Sequence, residues 1–82
     1  MKHVLLIAPV LLLSSALHLF ADFTAGWDAY GSGDYETALR EWRPLAEQGN
    51  ERAQMTLGRM YRQGEGVPED DAEAVKWFRL AA

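Results

Sequence analysis

The chain has 82 residues, enough for one small domain, and carries a formal charge of −4 with no cysteine. The lack of cysteine excludes disulfides and thiol chemistry, so the domain must be stabilised by its own packing or by stacking on another molecule. The acidic balance does not predict nucleic-acid binding, because nucleic acids attract clustered basic side chains.

Residues 1–21 have the layout of a secretory signal peptide: a lysine, an apolar run over residues 4–13 and then small residues. We expect cleavage after Ala21, with Ala16 as the second choice, and therefore an exported protein, periplasmic or secreted. The alternative is an uncleaved leader that anchors the chain in the inner membrane, since residues 4–21 are just long enough to span a bilayer. We expect membrane contact only through that leader.

Removal of the leader leaves residues 22–82, with seven Lys/Arg and twelve Asp/Glu, a formal charge of −5. This part has no histidine, because His3 and His18 both lie in the leader. A histidine-based triad is therefore excluded, and acid–base catalysis would need a carboxylate or tyrosine pair that the sequence does not suggest. We expect a protein that is not an enzyme and binds no cofactor.

The first predicted hairpin covers residues 22–49. Helical spacing of three aromatic residues predicts a short helix that ends near Gly33, and Asp34 caps a second helix. The aromatic residues are Phe23, Trp27 and Tyr30; the inward positions of the second helix are Ala38, Leu39, Trp42, Leu45 and Ala46. Pro44 crowds that helix at a cost of about 3 kcal/mol, so we expect a kink, although residues 45–48 still favour helix.

The second predicted hairpin covers residues 50–82. Asn50 caps its first helix, and Gly64 ends that helix in a left-handed conformation. Asp70 caps the next helix, where Glu73 at the third helical position predicts a capping box. The apolar positions of the two helices are Ala53, Leu57, Met60 and Tyr61, and then Ala74, Trp77, Phe78 and Ala81. No segment shows the alternation typical of a strand.

The two hairpins are copies of one repeat. A shift of 36 residues pairs identical or similar residues: Asp34/Asp70, Ala38/Ala74, Leu39/Val75, Arg40/Lys76, Trp42/Phe78, Arg43/Arg79 and Ala46/Ala82. A shift of 31 pairs Tyr30 with Tyr61 and Gly33 with Gly64. The difference of five residues is a longer turn in the second copy, residues 65–69.

The second copy resembles the Sel-like repeat, a subfamily of tetratricopeptide-type α/α solenoids. The likeness covers about residues 50–82 and rests on these positions: Ala53, Gln54, Leu57, Gly58, Tyr61, Gly64, Gly66, Val67, Asp70, Ala74, Trp77, Ala81 and Ala82. The first copy is similar to a shorter tetratricopeptide-type hairpin. The resemblance implies packing roles for the motif: close helix approach at Gly58, core aromatics at Tyr61 and Trp77, and tight helix contact at Ala74 and Ala81.

The resemblance therefore implies an all-α fold of two antiparallel helix hairpins, stacked as a short right-handed α/α solenoid behind an apolar leader helix. The expected units are a signal peptide at 1–21, a tetratricopeptide-like hairpin at 22–49 and a Sel-like repeat at 50–82. Such proteins are generally non-catalytic scaffolds that hold a protein or peptide partner. The alternative is a small structural or stress-related envelope protein anchored by an uncleaved leader.

The connecting turn of the second copy, residues 64–70, invites two chemical interpretations. A phosphate loop would need a preceding strand and a third glycine where Glu69 stands, and both are missing. A calcium loop would need alternating oxygen ligands, which Glu65, Glu69, Asp70 and Asp71 do not provide. Acids at a helix start are better explained by the free N–H groups and the helix dipole, so we expect no metal site.

The partner site is expected on the first helix of each hairpin, which lines the concave face of a solenoid. In the third predicted helix, Met55, Arg59 and Arg62 are not needed for the core and form a candidate strip, although ordinary solvated surface would look the same. Helical spacing places all three tryptophans in the core. The apolar edge of the last helix also suggests end-to-end self-association, docking on a partner, or a fragment of a longer array.

Overall fold

The computed structural model describes residues 22–82 as a series of α-helices without a strand in that range. These are α1 (Phe23–Gly31), α2 (Tyr35–Glu47), α3 (Glu51–Gln63) and α4 (Asp71–Ala81). The all-α prediction is confirmed for this part of the chain. The signal peptide and leader helix predicted for residues 1–21 lie outside the described residues.

Each helix begins at a short polar side chain that accepts a hydrogen bond from a backbone N–H of the first turn. The caps are Asp22 to Thr24 at 2.9 Å, Asp34 to Thr37 at 3.3 Å, Asn50 to Ala53 at 2.9 Å and Asp70 to Glu73 at 3.1 Å. The last three were predicted from the sequence and are confirmed. The sequence therefore sets the helix starts through local chemistry.

The predicted capping box at the start of α4 forms only in half. The Asp70 carboxylate accepts from the Glu73 N–H, but the Asp70 N–H donates to the Tyr61 carbonyl at 2.8 Å instead of to the Glu73 side chain. Glu73 forms an ion pair with Lys76 at 3.6 Å. The long turn brings its own end back against α3, so a backbone acceptor satisfies the N–H that the box would have used.

Gly64 ends α3, whereas Pro44 does not end α2. Gly64 caps α3 with φ 71°, in the left-handed region, as predicted. Pro44 lies inside α2, and the helix continues to Glu47. A proline this close to the end of α2 leaves the remaining turn intact, which agrees with the helical preference of residues 45–48.

The helices pack mainly in sequence order, α1 on α2, α2 on α3 and α3 on α4. One apolar cluster joins the last three: Ala38, Leu39, Trp42 and Ala46 of α2, Ala53, Leu57 and Met60 of α3, and Trp77 of α4. Three of its larger side chains, Trp42, Leu57 and Met60, are fully buried. Burial of this apolar surface is the main force that holds the two hairpins together.

The motif residues carried over from the resemblance lie at the helix contacts. Ala53, Leu57, Ala74 and Trp77 are buried, whereas Tyr61 and Ala81 are half-buried. A Cβ on Gly58 would lie 2.5 Å from the Phe78 ring, so α3 and α4 approach each other closely at this glycine. Tyr61 accepts a hydrogen bond from Arg43 at 3.1 Å, which places its hydroxyl at the α2–α3 contact.

The turn at residues 64–70 also contacts the first hairpin. Gly66 has φ 76°, and a Cβ there would lie 2.8 Å from the Tyr35 Cβ and 3.0 Å from Leu39 of α2. The Tyr30 hydroxyl donates to the Glu65 carboxylate at 2.8 and 2.9 Å. The turn therefore links the two hairpins as well as joining α3 to α4.

Trp27 corrects the prediction that all three tryptophans are core residues. Trp42 and Trp77 are 0% and 6% exposed, but Trp27 is 51% exposed. Trp27 lies on α1, which packs mainly on α2. One side of the Trp27 ring contacts Trp42 of α2, and the other side is open to solvent. Helical spacing identifies the apolar face of a helix but not how much of that face a neighbour covers.

Candidate partner-binding groove

A cleft of about 320 Å³ lies between the two first helices of the hairpins, α1 and α3. We call it the groove. It is lined by Phe23, Trp27, Glu51, Arg52, Met55, Thr56, Arg59 and Ala81. Its volume is at the lower end of the range for ligand pockets, and suits a short segment of another molecule.

Helical periodicity brings the lining side chains to one surface. Phe23 and Trp27 are four residues apart on α1, whereas Arg52, Met55 and Arg59 recur at intervals of three and four on α3. Residues at these intervals lie above one another on one face of a helix. The groove is therefore an aromatic wall facing a mixed apolar and basic wall.

The aromatic wall is built around Trp27. Its ring stacks on Phe23 at 6.4 Å and on Tyr30 at 5.9 Å, with interplanar angles of 14° and 8°. Trp42 supports it from below at 6.2 Å and is itself fixed by a 2.9 Å hydrogen bond from its Nε1 to the Phe23 carbonyl. The half-exposed indole is thus held in place before any partner arrives, which lowers the entropy cost of binding.

The facing wall carries two arginines, Arg52 and Arg59, that have no carboxylate partner in the described range, residues 22–82. Within residues 22–82, the ion pair that forms joins Lys76 to Glu73. Arg52 instead lies over the Phe23 ring, 4.6 Å from its centre, and Arg59 is exposed on the same helix face. An arginine on an aromatic ring is weakly attracted to it and still presents donors to an incoming oxygen.

A partly buried tyrosine lies near the basic wall. Burial raises the pKa of the Tyr30 hydroxyl, and its hydrogen bond to Glu65 raises that pKa further. The positive charge of Arg59 acts on the same hydroxyl in the opposite direction, but more weakly. The Glu65 carboxylate is therefore engaged by Tyr30, and Arg59 is not within ion-pair distance of it.

The structure brings together two of the three residues predicted for partner binding. Met55, which is 50% exposed, and Arg59 line the groove. Arg62 lies elsewhere, over the Phe78 ring at 5.6 Å, on the side of α3 that faces α4. Sequence reasoning did not assign Trp27 or Arg52 to the site; the interval from Arg52 to Met55 and Arg59 was the signal that could have found Arg52.

Within the part of the chain that the structure describes, no three histidine, cysteine, aspartate or glutamate side chains cluster closely enough to hold a metal ion. No helix in that range is long and apolar enough to cross a membrane. The groove offers apolar surface and guanidinium groups with which another molecule could be bound.

A family model matches the second hairpin, and curated relatives match a longer stretch of the chain. Residues 51–82 match the model of the family described as the Sel1 repeat. The chain is 42% identical over 59 residues to an "Exopolysaccharide production negative regulator" of Rhizobium meliloti (strain 1021), an alignment that covers 72% of this chain and 22% of that protein. A protein of the same description from Rhizobium leguminosarum bv. viciae is 41% identical over 56 residues, covering 68% and 21%.

The chain thus spans about a fifth of the length of the curated relatives it matches, 22% and 21%. No solved structure matches it significantly. The matched segment contains α3, the long turn and α4, the elements on which the resemblance was based. Residues 51–82 of the chain are therefore a Sel1 repeat.

Proposed function

We propose that this protein is an exported, non-catalytic scaffold that holds a protein or peptide partner in the groove. Sel1 repeats generally mediate protein–protein interaction. The observation that carries the proposal is the pair of large apolar side chains, Trp27 and Met55, which are 51% and 50% exposed on facing walls of one cleft. Exposed aromatic and methionine side chains are enriched at protein interfaces.

The proposed organisation is a signal peptide at 1–21, a tetratricopeptide-like hairpin at 22–49 and a Sel1 repeat at 50–82, stacked as a right-handed solenoid. Sequential packing of the helices supports the stack. Export rests on the charge, apolar run and small residues of the leader. N-terminal sequencing of the mature protein should begin at Asp22; an intact Met1 would favour the alternative, an envelope protein anchored in the inner membrane.

End-to-end self-association is a further part of the proposal. Val75 and Leu80 of α4 are 45% and 56% exposed, and repeats of this kind bury such faces against a neighbour. Sedimentation velocity at several protein concentrations should show a concentration-dependent dimer. A monomer over the whole concentration range would contradict self-association and leave the groove proposal unaffected.

The scaffold proposal can be tested by photo-crosslinking in the cells that express the protein. A photoreactive residue at Met55, inside the groove, should give a discrete adduct with another protein. The same residue at Glu36, an exposed position on α2, is the matched control and should not give that adduct. Adducts that are equal at the two positions, or none at Met55, would contradict binding in the groove.

A second candidate function follows from the names of the relatives. Both are described as negative regulators of exopolysaccharide production, so we propose that this chain contributes to such regulation by holding a regulatory partner. Deletion of its gene should increase the exopolysaccharide that the cells release, and the intact chain should restore the original level. A variant with Trp27→Asp should fail to restore it. An unchanged yield after deletion would contradict this function.

A further inference from the structure

We infer that the groove takes an acidic peptide segment that carries one large apolar side chain between its carboxylates. The inference rests on the proposed scaffold function and specifies the chemistry of the partner. The apolar side chain lies between Trp27 and Met55, and a neighbouring carboxylate binds Arg59. At the other end of the basic wall Arg52 lies beside Glu51, so we assign the carboxylate contact to Arg59.

The apolar part of the inference comes from the two walls. Trp27 is stacked on its helical neighbours and supported by buried Trp42, so it offers a rigid flat surface. Met55, opposite, has a flexible side chain that adapts to the shape of what it contacts. A rigid aromatic surface with an adaptable thioether facing it suits a leucine, methionine or aromatic side chain.

The acidic part comes from unpaired charge. Arg52 and Arg59 have no carboxylate within 4.0 Å among residues 22–82, and residues 1–21 contain neither aspartate nor glutamate. A guanidinium binds a carboxylate through two parallel N–H···O hydrogen bonds. The two arginines thus form a basic strip within residues 22–82, whose formal charge is −5. A carboxylate is the kind of ligand group that this strip binds most favourably.

The same charges favour a short segment whose carboxylate lies near Arg59. Glu51 lines the groove beside Arg52, so a carboxylate is repelled at that end and favoured near Arg59. Besides Glu51, residues 22–82 contain eleven acidic residues outside the groove, and these repel a long polyanion such as nucleic acid more strongly than a peptide with a few carboxylates. The site therefore selects a short acidic peptide.

The test uses fluorescence anisotropy of the full chain with three labelled octapeptides. The acidic probe has two aspartates and two glutamates around a central leucine. One control replaces the acids by their amides, and the other replaces the leucine by serine. We expect the acidic probe to bind about tenfold more tightly than either control, the effect of one charge-assisted hydrogen bond or one apolar anchor. Raising the salt from about 0.05 M to about 0.5 M should weaken its binding.

Matched variants locate the contact. Arg59→Glu should weaken binding of the acidic probe at least about tenfold, the scale of one lost charge-assisted hydrogen bond. Arg79→Glu makes the same charge change at an exposed position of α4 outside the groove, and it should have little effect on that binding. Thermal melts show whether each variant is folded, and Arg59→Gln replaces Arg59→Glu if the latter unfolds. Equal binding of acidic and amide probes, no binding of any probe, or equal losses in the two charge variants would overturn the inference. The Met55 adduct tests the scaffold function separately, because it does not depend on the chemistry of the partner.

Discussion

Gly26 is the residue whose substitution gives the sharpest test of the packing described above. It is buried in α1, and a Cβ built on it would overlap the Trp42 indole: the Nε1 atom would be nearest, with Cε2 and Cδ1 at 2.6 and 2.7 Å. Trp42 cannot move away easily, because it is 0% exposed and its Nε1 is bonded to the Phe23 carbonyl at 2.9 Å. Gly26→Ala therefore forces α1 away from α2 or breaks that bond.

The magnitude follows from three contributions. Overpacking in a core costs about 1–3 kcal/mol, and loss of the Trp42 hydrogen bond costs about 1 kcal/mol more. Alanine offsets about 1 kcal/mol of this, because it is the better helix former. We expect Gly26→Ala to lower the free energy of unfolding by about 2 kcal/mol, which corresponds to a fall in Tm of roughly 8–16 °C for a domain of this size.

Gly31 provides the matched control in the same helix. A Cβ at Gly31 meets nothing within 4 Å, so Gly31→Ala should introduce no clash. The free energy of unfolding should stay unchanged or rise by about 0.5 kcal/mol, because alanine lowers the conformational entropy of the unfolded chain. Thermal unfolding followed by far-UV circular dichroism measures both variants. The reasoning is refuted if the two alanine variants melt at the same temperature.

Three further predictions concern polar contacts, all measured by thermal or denaturant unfolding. Tyr30→Phe should lower the free energy of unfolding by about 1 kcal/mol, because it removes the hydrogen bond to the long turn. Because the pKa of Tyr30 is raised, the contribution of Tyr30 to stability is full below its ordinary pKa of 10.0 and is lost as the pH rises beyond that value. The Tyr30→Phe variant should not show this loss. Asp34 has a pKa lowered by its hydrogen bonds with Thr37, so its contribution is lost as the pH falls below the ordinary 3.8, and Asp34→Asn, which keeps a cap, should remove that dependence. Asp70→Ala should cost about 1 kcal/mol as a lost cap, whereas Asp71→Ala, at the next position, should not; equal losses would contradict the cap.

Local chemistry made much of the fold predictable. A cap such as Asp34 or Asn50 acts on an N–H three residues away, and Gly64 ends its helix through its own φ angle, so these signals are readable in short stretches of sequence. The internal repeat predicted the order of the four helices, because each of the two copies reads as a helix, a turn and a helix. The family resemblance then fixed which positions of the second hairpin face its neighbours.

Contacts between distant segments were not predictable. The Tyr30–Glu65 hydrogen bond joins residues 35 positions apart, and nothing near either residue signals the other. The fit of Trp42 against Gly26 depends on how closely α1 approaches α2. For the groove, the sequence indicated Met55 and Arg59 on one helix but not the facing wall with Trp27, because the relative placement of α1 and α3 is a property of the packed hairpins.

The long turn of the Sel1 repeat makes the order of the two hairpins non-interchangeable. Its glycine at position 66 fits against Tyr35 and Leu39, and Glu65 reaches Tyr30, so the second hairpin recognises the one that precedes it. The bare turn at Gly33 and Asp34 has no residues with which to reach back in this way. The contact is therefore directional: if the order of the hairpins were exchanged, Gly66 and Glu65 would lose the surface of Tyr35, Leu39 and Tyr30 that they contact.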